Sequence, residues 1–202
     1  MTLTLVDAAR FAQNLHSQHP ELFVKGQPDP MRVDVRALRL LTEKKIGRPI
    51  TLELANDEQG LMNGLVLDLA EKAVVLISQR HADNPCWCRM TATKEIVHLY
   101  NGLLLDGGNS LNLDIIAARD CRIDIPAIDQ ELHQEKFCFF AAIEILLPQF
   151  LRGELSDAHH VHQLSPNKIA TQCRVPQTII TYYFERHYAE CSLEANRIAA
   201  AR

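Results

Sequence analysis

Apolar residues recur near helical spacing at Ala9, Phe11, Ala12 and Leu15, which predicts a helix over residues 6–18 with Asp7 as its cap. Residues 26–30, Gly-Gln-Pro-Asp-Pro, read as a turn or linker. A second helix is predicted over residues 33–42, with Val35, Leu38 and Leu41/Thr42 on one side, stopping before Gly47-Arg48-Pro49. The pattern then changes period. Residues 50–54 and 64–69 alternate between apolar and polar positions, and residues 73–78 form a short apolar run. These segments predict three strands joined by tight turns, the first turn at residues 56–60. Residues 89–99 read as a helix, and residues 106–110 (Asp-Gly-Gly-Asn-Ser) as a loop. Residues 111–128 fit neither period, and Pro126 ends whatever forms there. Residues 130–147 are apolar almost all round, the mark of a central buried helix, and Pro148 stops it. Residues 164–185 predict two short helices broken near Arg174-Val175-Pro176, with a further helix through Ala199. The expectation is an α+β fold: a helical segment over residues 1–45, then a domain over residues 46–202 with a small sheet packed on helices and a helical C-terminus.

Composition narrows the class. The chain has 202 residues, 47 % hydrophobic and 23 % charged, which is enough apolar material for a real core. The net charge of −4 argues against a mainly electrostatic nucleic-acid binder. No apolar run reaches the roughly 18 residues of a membrane span. Residues 1–10 are amphipathic, include Asp7, and lack the apolar stretch and cleavage site of a signal peptide. The six cysteines are then expected to be reduced thiols in a cytoplasmic protein. Cys86-Trp87-Cys88 lacks the spacing of a zinc knuckle and reads as an apolar strand or loop edge.

Two segments carry candidate chemistry. In Lys94-Glu95-Ile96-Val97-His98, residues 94 and 98 share one helix face with Glu95 beside them. Zinc peptidases use this geometry: two histidines at i and i+4 hold the metal, and the glutamate after the first polarises its water. His98 stands at the second ligand position and Glu95 at the general-base position, while Lys94 occupies the first ligand position. The second segment runs from Glu135 through Cys138 and Ala142 to Ile145-Leu146-Leu147-Pro148. In order and spacing the two resemble the H-E-x-x-H and E-x-x-A-N-x-F-A-x-x-L-L-M-P motifs of the ImmA/IrrE family of zincin-like metallopeptidases. Phe139 and Ala141 replace the family's Asn and Phe. Residues 169–176 (Ile-Ala-Thr-Gln-Cys-Arg-Val-Pro) are similar to the family's downstream I-A-x-x-F-x-V-S, so the resemblance spans roughly residues 45–188. It implies a zincin-like fold, His98 and Glu135 as two metal ligands, and Glu95 as general base. It further implies a zinc cofactor and a protein or peptide regulator as partner, as for relatives that act on repressors in phage and mobile-element settings. A protonated lysine has no lone pair for a metal. Lys94 is therefore expected to act as a charge partner of Glu95 or Glu135, leaving a degenerate, non-catalytic protein that binds a regulator or peptide between the motif helix and the sheet. The alternatives are an active zinc peptidase with a substitute ligand, and a non-enzymatic regulatory module that contacts DNA or a DNA-binding partner.

Three further features lie outside these two segments. His159, His160 and His162 form the densest histidine cluster, read as an exposed loop or as a source of that substitute ligand. His81 and His133 are isolated and read as ordinary surface or packed histidines. Ala170, Val175 and Ile180 have the spacing of a helix-turn-helix core, but Arg174 stands where such turns prefer glycine, and residues 165–202 carry five basic and three acidic groups. The expectation there is a helical hairpin packed on the main core.

Overall fold

The computed structural model describes residues 5–24, 32–56, 63–102 and 130–201. Residues 106–110 and 111–128, and most of the turns expected at 26–30 and 56–60, lie outside the described residues. The architecture is mixed α and β, dominated by helices with one small three-stranded sheet. Helix α1 (Leu5–Gln18) leads through a short 3-10 turn (Pro20–Leu22) to a two-stranded ladder of β1 (Phe23–Val24) and β2 (Arg32–Val33). Helix α2 (Val35–Ile46) is longer than the hydrophobic pattern suggests. Its start is fixed by Asp34, whose carboxylate accepts from the amides of Arg36 and Ala37, and its end by Gly47 at φ +74°.

Strands β3 (Ile50–Ala55), β4 (Gly64–Asp68) and β5 (Ala73–Ser78) fall close to their predicted positions, but their pairing is not a simple meander. The order is β3-β5-β4, with β4 antiparallel to β5 and β3 parallel to it. Strand β5 is the most apolar of the three and takes the centre, where side chains on both faces are covered. Ile50, Ala73, Val75 and Ile77 share one face, which packs on Ala92 and Leu99 of α4.

A short helix, α3 (Gln79–Ala82), precedes α4 (Pro85–Asn101). Asn84 caps α4 through the amides of Cys86 and Trp87, Pro85 fits its first turn, and Gly102 closes it at φ +64°. Cys86-Trp87-Cys88 is consequently the opening turn of a helix rather than a strand or loop edge, because a cap and an N-terminal proline together outweigh the local apolar character. Helix α5 (Gln130–Leu146) is buried all round from Glu135 onward and ends at Pro148. After a 3-10 turn (Gln149–Leu151) come α6 (Arg152–His160), α7 (Pro166–Cys173), α8 (Gln177–Phe184) and α9 (Arg186–Ala200). Helix α5 is the axis of the main core: α1 and α4 pack against it, and α9 packs on α1. Among the described residues, no helix is long and apolar enough to cross a membrane.

Candidate functional site

Helix α4 turns Lys94, Glu95 and His98 toward α5, which answers with Glu135 and, three residues on, Cys138. The residues singled out in the two motifs therefore meet in space. Lys94 Nζ donates to Glu135 Oε2 at 2.7 Å and lies 3.1 Å from Glu95 Oε1. His98 Nε2 lies 3.1 Å from Glu135 Oε1. Lys94, His98 and Glu135 are each only 3 % exposed, and Glu95 2 %. Ionised groups are tolerated at such depth only when paired, and the ammonium of Lys94 lies within 3.1 Å of both carboxylates.

The electrostatics follow from that packing. Burial works to raise the Glu135 carboxyl, but His98 and Lys94 outweigh it and hold its pKa at about 2. Burial raises Glu95 above the usual carboxylate range despite Lys94 and His98. Burial opposes protonation of His98, yet Cys138, Glu135 and Glu95 together carry its pKa well above the usual imidazole value. The Cys138 thiol, which hydrogen-bonds with His98, is pushed up by its own burial. Only a thiolate is reactive, and this buried environment favours the protonated thiol.

A divalent cation does not fit this donor set. Glu95, His98 and Glu135 supply oxygen and nitrogen donors, but the ammonium of Lys94 already lies against both carboxylates. An ammonium has no lone pair to offer a metal, and its charge repels one. The sheet closes against the same helix. A methyl group placed on Gly64, at the start of β4, would lie 2.5 Å from Thr91 Cγ2 and 2.7 Å from Glu95 Oε1. Only glycine lets the strand lie this close to α4.

The other candidates are built differently. His159 and His160 belong to the last turn of α6 rather than to a loop; His159 stacks on Phe184 at 4.9 Å, and its Nδ1 lies 3.1 Å from the Leu164 carbonyl oxygen. His81 is buried, stacked on Trp87, with Nδ1 2.7 Å from Thr91 Oγ1, and His133 is buried too. Residues 165–184 form two helices whose turn holds Arg174 in the left-handed region at φ +53°, the conformation a helix-turn-helix normally gives to glycine. Ala170, Val175 and Ile180 are buried beneath it. Arg89 of α4 donates to the carbonyls of Cys173, Arg174 and Val33, tying this hairpin and β2 to the main core.

One polar cluster has no counterpart in the motif reading. Glu144, near the end of α5, is 1 % exposed and accepts from Tyr188 Oη at 2.9 Å, Ser192 Oγ at 2.6 Å and Asn196 Nδ2 at 3.1 Å. Arg152 donates to Ser192 Oγ and lies over the ring of Tyr183. The signal was available: one carboxylate in the run Phe-Cys-Phe-Phe-Ala-Ala-Ile-Glu-Ile-Leu-Leu demands partners, and Tyr188, Ser192 and Asn196 at steps of four make a polar stripe on α9. No protein-family model matches the chain, and no curated protein matches it in sequence.

Proposed function

We propose that this chain is a zincin-like protein of the ImmA/IrrE type that has exchanged its metal for an internal ammonium and acts by binding a regulatory protein or peptide rather than by hydrolysis. One observation carries the reading: Lys94, in the place of the first metal-binding histidine, lies 2.7 Å from Glu135 and 3.1 Å from Glu95 in a buried cluster. A single positive charge stands in for the dication while the Lewis acid is lost, which preserves the packing of α4 on α5 and removes the means of activating water. Because β4 lies directly on α4 at Gly64, a partner engages the surface around this contact rather than the charged groups within it. No disulfide joins the described cysteines Cys86, Cys88, Cys138, Cys173 and Cys191, which suits a reducing, cytoplasmic setting.

The test is the zinc content of the native protein and of Lys94→His after equilibration with zinc and removal of excess. The expected result is no stoichiometric zinc in the native protein and about one ion per chain in the variant, with Glu95, His98 and Glu135 in the roles the motif assigns them. Near one zinc per chain in the native protein would overturn the reading in favour of an active peptidase. A second reading, a DNA-contacting module, is favoured by the left-handed turn at Arg174 between α7 and α8, beside which Lys168, Gln177, Thr178 and Thr181 are exposed. It requires binding to duplex DNA that weakens steeply with salt.

A further inference from the structure

The segment from α7 to α8 has two faces of different chemistry. Ile169, Ala170 and Cys173 of α7, Val175 of the turn, and Ile180 and Tyr183 of α8 are all buried. Three residues, Arg174-Val175-Pro176, join the helices, which is the turn length of a helix-turn-helix. The amide of Val175 donates to the Ala170 carbonyl at 3.1 Å, and Arg174 passes through the turn at φ +53°. Arg89 of α4 donates to the carbonyls of Cys173 and Arg174, so the unit is anchored to the main core.

The outer face carries no carboxylate. Lys168 and Thr171 stand on α7, Arg174 on the turn, and Gln177, Thr178 and Thr181 on α8, and all six are exposed. Residues 158–184 contain no Asp or Glu, although the chain holds 25 in 202 positions. Among the described residues, no carboxylate pairs with Lys168 or Arg174. Between residues 162 and 185 no large apolar side chain is exposed, so the face lacks the anchor on which protein–protein contacts depend. Cations, amides and hydroxyls with no opposing charge are the groups that meet phosphates and base edges.

We propose, resting on the second reading above and independently of the Lys94 cluster, that this face binds duplex DNA with α8 in the major groove. Gln177, Thr178 and Thr181 address base edges, and Lys168 and Arg174 the flanking phosphates. A helix with its side chains is about 10–12 Å across, which the roughly 12 Å width of that groove admits. In this docking the start of the second helix meets the bases while the first helix crosses the backbone. Gln177 and Thr178 open α8 and Thr181 lies one turn on, while Lys168 stands on the first helix. A glutamine can bond N6 and N7 of adenine together, and a threonine bonds a base edge or packs its methyl on thymine. Two phosphate contacts make affinity fall about twelve-fold between about 50 and 200 mM salt.

Fluorescence anisotropy of the full chain with a labelled duplex DNA of mixed sequence, at low and high salt, tests the contact. Selection from a random-sequence duplex library tests base reading. Wild type is expected to bind and to show the twelve-fold loss. Lys168→Gln and Arg174→Gly are each expected to shrink that loss to about 3.5-fold. Arg174→Gly should also keep or raise thermal stability, because glycine adopts the left-handed turn without strain. Gln177→Ala is expected to change the base preferred at one position of the selected sequence. No binding of duplex DNA by wild type at low salt overturns the second reading and this placement with it. Binding whose salt dependence is indifferent to both Lys168→Gln and Arg174→Gly leaves that reading standing and overturns the placement. So does a selected sequence unchanged by Gln177→Ala, Thr178→Ala and Thr181→Ala. Duplex RNA that competes as well as DNA overturns it too, since side chains cannot read the narrow major groove of RNA.

Discussion

Replacing Lys94 by methionine keeps the length and much of the volume of the side chain and removes its charge. Glu135 then loses a 2.7 Å charge-assisted hydrogen bond, and Glu95 loses an ammonium at 3.1 Å, with both carboxylates still buried. Breaking a buried ion pair by deleting one partner costs about 3–5 kcal/mol. Two features place Lys94→Met at the lower end: His98 remains 3.1 Å from Glu135, and Glu95, already raised by burial, can take up a proton. The expected loss is about 3 kcal/mol, or roughly 6–12 °C in Tm for a chain of this size. Urea unfolding at neutral pH measures it. Adding Glu135→Gln should restore part of the loss, because a pair neutralised on both sides leaves no stranded charge. A Lys94→Met variant as stable as wild type would refute the ion-pair account. Strictly additive losses in the double variant would refute the coupling between Lys94 and Glu135.

Acid stability should fall in two stages. His16 is held at about 4, below its ordinary 6.5, by burial; the unfolded chain therefore binds the proton more readily, and stability is lost as pH falls from 6.5 through 4. The shift corresponds to about 3 kcal/mol, and His16→Gln should flatten that limb of a pH–stability curve. Glu135, held at about 2, adds stability that is present above its unfolded value of 4.5 and lost as pH falls toward 2; Glu135→Gln should remove this second limb. Glu95 has the opposite sign, since its raised pKa makes its ionised form costly at neutral pH and acid relieves the cost. Gly64→Ala should lower stability by about 1–3 kcal/mol through overlap with Thr91 and Glu95, read by thermal unfolding. Glu144→Ala deprives Tyr188, Ser192 and Asn196 of their shared acceptor and should cost about 3 kcal/mol, with Glu144→Gln milder; urea unfolding ranks them.

The elements were legible where one period dominated. The three strands, α1, the central α5 and the broken pair α7–α8 lie near their expected positions because their apolar spacing is regular, although Asp7, expected to cap α1, lies inside its first turn, since the helix already begins at Leu5. The parallel pairing of β3 with β5 was not legible, because alternation fixes which face a residue takes and not which neighbour it has. Helix α4 was expected over residues 89–99 and begins at Pro85; its cap at Asn84 lies outside the apolar pattern that suggested it. At the site, spacing alone placed Lys94 and His98 together on α4, but the approach of Glu135 is a tertiary contact that only the resemblance suggested. Cys138 entered the reading as a motif position and is found hydrogen-bonded with His98. Glu144 went unread because an amphipathic pattern cannot name a buried carboxylate's partners when they lie 44 to 52 positions away.

That last spacing bears on the order in which the protein can be completed during synthesis. Chains emerge from the amino end at about 5–20 residues per second. Helix α5 is therefore made while Tyr188, Ser192 and Asn196 do not yet exist, and Glu144 sits in its most apolar stretch. Until α9 arrives, none of the described donors to that carboxylate is present, and it favours water over the position it finally takes. Helix α1 is made far earlier and also waits, because α9 packs along it and Asn196 accepts from Gln13. One late helix thus closes contacts opened at two earlier times, and the main core cannot seal around an incomplete chain.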